Sequence, residues 1–384
     1  MNDVPRFSWS EVCARRLARH GLAAPAEGIR PVDVVSAMAG THAQVMSSAE
    51  LAIGLRTAGQ TRLDVREALW GDRSIIKTFG PRGTVHLLPA EELPLWTAAL
   101  SAVPVSASTF SAAIRMTSEQ TEEVVAAITK VLDGNELTID ELSEAVVEAT
   151  GPWAGDLVMP AFQGMWPRWR QALHLAGVRG ALCFGPNRGR KITYTSPQMW
   201  LPGFRPAETQ TGLAHVVKRY LHAYGPSTPQ RFAHWLNAPA RWAVELFDSL
   251  SDELQQVEVE GASAWVARGD LEVPSAPPQG VRLLPYFDGY AYRVGNQPPA
   301  LLYPGRAAER VLPGNFQVLL IDGVVAGLWH QRRSGRRLHL TVESLAPLSP
   351  TQLDDLDHQA ERVAAVLEAK PQLVLGPVTV GGHA

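Results

Sequence analysis

Two periods alternate along the chain. Stretches in which apolar residues recur every three to four positions give way to short stretches in which they recur every second position, and this order of helices then hairpin repeats about three times. In the first pass, Ser8-Trp9-Ser10-Glu11 and Ser47-Ser48-Ala49-Glu50 have capping-box spacing, which predicts two helix starts. Residues 75–88 then read as strand, turn, strand about Gly80-Pro81-Arg82-Gly83, resembling a wing, and Pro89 opens the next helix. The second pass predicts helices over 118–131, 138–148 and 161–175, the last carrying Arg168 and Arg170 and stopped by Gly177. A hairpin over 181–195 follows, with Arg188, Arg190 and Lys191 at its tip, where a basic loop suits phosphate contact.

The third pass runs from Leu213 through helices near 229–236 and 240–250 to a hairpin over 257–266. Acids dominate there (Glu245, Asp248, Asp252, Glu253, Glu258, Glu260), so this unit is expected to pack on its neighbours. Strands resume at 281–286, 317–321, 324–329 and 338–342, with tight turns at Asp322-Gly323 and Ser334-Gly335. A helix over 351–368 and an apolar tail close this small sheet or barrel. The prediction is an α+β chain with units at 1–115, 116–206, 207–275 and 276–384.

Composition changes this picture in one respect. A net charge of -3 argues against bulk electrostatic adhesion to nucleic acid, so any such contact must come from local patches. Between Ala161 and Tyr220 nine bases stand against one acid, whereas between Glu119 and Asp156 ten acids stand against Lys130 alone. Segregated sign of this kind predicts one face for phosphates and another for water, although a solvated helix surface would explain either run.

Cys13 and Cys183 have no metal-type spacing, so neither a zinc site nor a disulfide framework is expected, and no cofactor is implied. No apolar run reaches the roughly 18 residues of a membrane span, and the start of the chain does not read as a secretion signal. A monomer in the cytoplasm is the expectation. The hairpin over 181–195 is not a P-loop, because no Gly-Lys-Ser or Gly-Lys-Thr follows its glycines. The tryptophans, among them Trp96, Trp166, Trp169 and Trp235, fall at helical spacing and predict core filling.

Candidate chemistry centres on His42-Ala43-Gln44, between the first two predicted helices. In an extended segment, side chains two positions apart share a face, so His42 and Gln44 point together while Ala43 turns toward the core. An imidazole of ordinary pKa, about 6.5, and an amide oxygen could orient a water and share its proton. They could equally cap the neighbouring helices. Arg82, Thr84 and His86 alternate along the first hairpin and could line the same cleft. Tyr286, Asp288, Tyr290, Tyr292 and Arg293 form a cluster from which Tyr290 could stack on bases and Arg293 meet phosphate.

Several segments resemble one known family, in order and over most of the chain. They are Thr41-His42-Ala43-Gln44, Arg82-Gly83-Thr84-Val85-His86, Tyr220-Leu221-His222-Ala223-Tyr224-Gly225-Pro226 leading to Phe232-Ala233-His234-Trp235, and Leu283-Leu284-Pro285-Tyr286-Phe287-Asp288. The chain is similar to the AlkZ-like and YcaQ-like DNA glycosylases. That resemblance implies tandem winged-helix units followed by a β-domain, with duplex DNA carrying alkylated or bulky purine adducts as partner. It also implies that His42 and Gln44 are the catalytic pair, in a histidine variant associated with large, intercalating guanine adducts. The contacts expected with DNA are Arg82, Thr84, His86, Arg168, Arg170, Arg188, Arg190, Lys191, Tyr290 and Arg293. A winged-helix transcription regulator, or a protein that sequesters a planar drug, is a reading of a different class that fold alone does not exclude.

Overall fold

The computed structural model describes residues 4–25, 27–104, 110–161, 164–291 and 299–380. Three of its sheets have three strands each, and every one combines a hairpin with a short strand from elsewhere in the chain. In the first sheet, Thr41–His42 pairs with Val85–Pro89, which pairs with Ile75–Phe79. The second repeats that order with Glu136–Thr138, Lys191–Thr195 and Cys183–Arg188. In the third, the short strand is Arg6–Phe7, which runs parallel to Leu254–Val259 beside Ala262–Ala267. The beginning of the chain thus joins a hairpin some 250 positions away, a pairing that no local pattern announces.

Most helices begin where side chains can cap them. Ser8 with Glu11, Thr117 with Gln120, Thr138 with Glu141 and Ser349 with Gln352 all form complete capping boxes. The box expected at Ser47 does not form. That helix, Met46–Gly54, starts two residues earlier with Val45 at its cap, and Glu50 pairs with Arg66 at 2.6 Å.

The helix expected over 161–175 is also absent. Leu157–Ala161 and Gly164–Pro167 form an antiparallel ribbon instead, followed by a 3-10 turn at Arg168–Ala172 and the helix Leu173–Val178. Pro167 lacks the amide that a continuous helix would need at that point. Leu157 is 65% exposed on this ribbon and Trp166 39%, whereas Trp96, Trp169 and Trp235 fill the core as expected.

The C-terminal sheet has five strands in the order Val281–Leu284, Gln317–Ile321, Val324–Ser334, Arg337–Ser344 and Lys370–Leu375. Its last strand, read from sequence as a tail, adds parallel to the fourth. The helix Pro350–Val366 packs on this sheet through Leu356, Ala360 and Val363. Mixed α and β content of this kind agrees with the expected α+β class.

Packing sets where the motif lies. One apolar core runs from Val35, Ala43 and Ile53 through Leu87 to Ile128, Trp169 and Phe184, joining the first two sheets. A second joins Ile76, Leu88 and Trp96 to the helices Thr209–Tyr224, Pro229–Leu236 and Ala240–Ser249. The helix Met46–Gly54 faces both ways: Ala49 and Ile53 enter the first core, while Leu51 packs with Val281, Leu283 and Val366 of the C-terminal unit. His42-Ala43-Gln44 immediately precedes this helix, so its position is referenced to every layer of the molecule.

Candidate active site

The motif leaves the helix Pro31–Ala37 through a tight reversal. Ala39 has φ 54 and Gly40 φ 90, and the Tyr224 hydroxyl donates to the Met38 carbonyl at 2.8 Å, closing the helix end. Thr41 and His42 then pair with Leu87 and His86, and the Ala43 amide donates to the Val85 carbonyl at 2.8 Å. Thr41 and Ala43 are buried, His42 is half-buried and Gln44 is exposed. The strand ends at His42, and Gln44 lies two positions on, exposed in the bend that leads into the helix Met46–Gly54.

His42 lies among rings. Phe287, from the C-terminal unit, has its centroid 4.8 Å away at a tilt of 45°, and His86 meets His42 edge-on at 5.3 Å. Burial, and then the charge of Arg82, push the His42 imidazole down to about 4 rather than the ordinary value expected from sequence. A neutral ring is the result at pH 7.

His86 is held well below its usual range by burial, then by His42 and Arg82. Its Nδ1 lies 2.9 Å from the Thr84 carbonyl, which can only accept, so the proton sits on Nδ1. Gly80 makes room for this ring, since a Cβ there would fall 2.7 Å from it.

A buried ion pair stands behind Phe287. Arg56, just past the helix Met46–Gly54, donates from Nη1 and Nη2 to the two oxygens of Asp288 at 2.8 Å each. Asp288 also accepts from the Tyr290 amide at 3.0 Å. Both charged side chains are fully buried. Sequence reading missed Arg56 and Phe287; the available signal was one guanidinium in an otherwise apolar helical stretch, which demands a partner somewhere in the core.

The other expected contacts separate into groups. Arg82 adopts φ 61 at the hairpin turn and donates to the Trp235 carbonyl at 2.8 Å, while the Thr84 hydroxyl donates to the Pro81 carbonyl at 3.1 Å. His86, at 4% exposure, lies beneath His42 rather than beside it in a cleft. Tyr290 is 0% exposed, donates its hydroxyl to the Gly323 carbonyl and lies against Cys13, so it cannot stack on a base. The aromatic rings of that segment that do reach the surface are Tyr286 and Phe287. Arg293 and Tyr292 lie outside the described residues.

The two charge runs do not make two faces. Arg168 pairs with Asp156 at 3.1 Å, Arg179 with Glu122 at 2.8 Å, Arg188 with Glu141 at 3.1 Å and Lys191 with Asp140 at 2.7 Å. Runs distant in sequence neutralise one another because the basic hairpin folds back on the acidic helices. Arg170 packs over the exposed Trp166 ring at 4.0 Å, and Arg190 is exposed at the hairpin turn.

Residues from all three sheet-bearing regions meet at a cleft of about 580 Å³, whose lining includes Arg82, Arg115, His174 and Asn237. Among the described residues no group of His, Cys, Asp and Glu could hold a metal ion, and no helix is long and apolar enough to cross a membrane.

A mixed α and β scaffold thus carries a half-buried imidazole at the end of a short strand, with an exposed carboxamide two positions on. A family model for DNA glycosylase AlkZ-like proteins matches residues 35–366, and the chain belongs to that family. It is 34% identical over 338 residues to an interstrand DNA cross-link repair glycosylase of Streptomyces sahachiroi, covering 84% of this chain and 88% of that one. The solved structure of the Streptomyces sahachiroi DNA glycosylase AlkZ matches with a TM-score of 0.80 at 30% identity, over 96% of this chain and 100% of the other.

Proposed function

We propose that this chain is a monofunctional glycosylase that hydrolyses the N-glycosidic bond of N7-alkylated or bulky N7-guanine adducts in duplex DNA. The observation that carries the reading is the half-buried His42 imidazole, kept neutral by burial, with the exposed Gln44 carboxamide two positions on. Gln44 orients a water through its amide oxygen on the sugar face opposite the base. The water attacks C1′ and the bond to N9 breaks, its electron pair leaving with the purine. Alkylation at N7 has already made that purine cationic, so it departs neutral without being protonated. The proton lost by the water passes to His42 and on to solvent, general-base help that is worth about 10² to 10⁴ in rate. No lysine lies in the motif to form a Schiff base, so the product is an abasic site.

The three small sheets with their helices are read as tandem winged-helix units at 1–115, 116–206 and 207–275, with a β-domain at 276–384. Arg82 and Thr84 border the motif and meet the DNA backbone near the lesion. Arg168, Arg170, Arg188, Arg190 and Lys191 form the phosphate contacts of the second unit. The exposed ion pairs of Arg188 and Lys191 are weak, about 0–1 kcal/mol each as a class, and exchange for phosphate at little cost. The cleft beside Arg82 gives an adduct room that a closed base pocket would deny it. The relative's role in cross-link repair fits a substrate whose adduct continues into the opposite strand, and a monomer in the cytoplasm conferring self-resistance to a genotoxin is the setting inferred.

The test is incubation with duplexes carrying N7-methylguanine or a bulky N7-guanine adduct, followed by alkaline cleavage of abasic sites. Release of free modified base is expected, and it is expected to disappear in the His42→Ala, Gln44→Ala double variant. Binding without base release would favour a regulator, and normal excision by the double variant would remove the pair from the mechanism. Borohydride is expected to trap no covalent complex.

A further inference from the structure

Phe287 sits at φ 61, a left-handed backbone that costs a non-glycine residue about 1–3 kcal/mol and persists only where its surroundings over-determine it. Those surroundings can be named. On its C-terminal side, Asp288 is locked by the bidentate Arg56 pair and by the Tyr290 amide. Next comes Gly289, where a Cβ would fall 2.7 Å from the Tyr224 hydroxyl. Tyr224 in turn donates to Met38, at the start of the reversal into the motif. The strained turn and the motif strand are therefore held by one set of buried contacts, and the ring delivered by the turn lies 4.8 Å from His42.

We infer that Phe287 is a positioning residue of the glycosylase centre: a wall, supplied by the C-terminal unit, that fixes the orientation of the His42 ring and keeps water off one face of it. The inference rests on the reading of His42 given above. The His42 ring is thus in contact with His86 on the hairpin and with Phe287 from the C-terminal unit. Few other groups of the described residues bear on its charge. From the hairpin come His86 beneath it and Arg82 at the turn; from the C-terminal unit come Tyr286 beside Phe287 and Asp288, whose carboxylate is turned into the Arg56 pair. His42's own strand adds no charged group, Thr41 and Gln44 being neutral. The wall thus acts chiefly through desolvation, which is what disfavours a charged imidazole.

The experiment uses the full chain labelled at histidine, with the His42 ring assigned by comparison with His42→Ala. Its titration is followed by NMR in wild type, Phe287→Ala and Phe287→Leu, alongside the pH profile of base excision in each. Phe287→Ala is expected to raise the His42 midpoint from about 4 toward 6.5, and with that midpoint excision at pH 5.5 falls about tenfold below its pH 7.5 rate. Phe287→Leu keeps apolar bulk over the ring and is expected to restore both readouts, which a general loss of structure would not do. An unchanged midpoint in folded Phe287→Ala overturns the inference. A midpoint that rises while the excision profile stays put upholds the wall but removes His42 from the chemistry, so the two failures are separable. If Phe287→Ala does not fold, Phe287→Gly, which also removes the ring but suits the left-handed backbone at φ 61, takes its place: a raised His42 midpoint supports the wall and an unchanged one overturns it.

Discussion

The first and second sheets are built alike and used differently. Each places a short strand beside the second arm of a hairpin, Thr41–His42 beside Val85–Pro89 and Glu136–Thr138 beside Lys191–Thr195. In the first, the hairpin turn is pressed into the molecule, with Arg82 bonded to the helix Pro229–Leu236 and Gly83 close to His174. In the second, residues 186–192 stand in solvent, and their charges answer acids on neighbouring helices. The same local construction therefore becomes a desolvated site where other layers close over it and a solvated surface where they do not. The first environment disfavours a charged imidazole, which is why His42 lies below its ordinary value.

The sharpest way to break this contrast is to delete chemistry from one sheet and compare the other. His42→Ala is expected to lower the excision rate about 10² to 10⁴-fold, whereas Leu137→Ala, on the matching strand of the second sheet, lowers stability and leaves the rate per folded molecule unchanged. Equal losses in both would show that the first sheet is not special. Next in size is the buried pair. Asp288→Asn strands a guanidinium in the core and is expected to cost about 3–5 kcal/mol in urea unfolding, while Asp140→Asn, which breaks the exposed pair with Lys191, leaves the unfolding midpoint in place.

Acid should separate the two regions further. His20, His42 and His86 are all held below their unfolded value by burial first. Each then binds fewer protons folded than unfolded, so the stability they contribute is complete above about pH 6.5 and drains away as the pH falls toward 4. Thermal unfolding across that window should therefore show a falling midpoint, and His86→Gln should flatten the fall. The basic hairpin Cys183–Arg188 with Lys191–Thr195 contains no histidine and contributes nothing to it. The smallest effect belongs to the solvated side. Arg190→Ala should weaken binding to any duplex alike and reduce the salt slope by about 1, with the excision rate of bound substrate unchanged.

Much of the fold is legible in local pattern. The hairpins at 75–88 and 181–195 announce themselves through alternation about glycine turns, and the capping boxes at Ser8 and Thr138 mark helix starts because they need only four consecutive residues. The helix expected over 161–175 fails for a reason equally local, Pro167, whose missing amide outweighs apolar spacing. For the site, the spacing put His42 and Gln44 on one extended segment, whereas the strand ends at His42 and Gln44 falls in the following bend. Tyr290 was misjudged, since an aromatic cluster looks the same from sequence whether its rings face solvent or core.

Contacts between distant segments were decided only by tertiary structure. Nothing near Arg6–Phe7 names its partner strand at Leu254–Val259, and nothing near Arg56 names Asp288. The opposed charge runs suggested two faces, yet folding set one against the other. Strand alternation and capping depend on backbone geometry within a few residues, so they are written into any short window. Desolvation depends on which remote surfaces arrive to exclude water, and the environment that lowers the His42 imidazole exists only once Phe287 and His86 have closed around it.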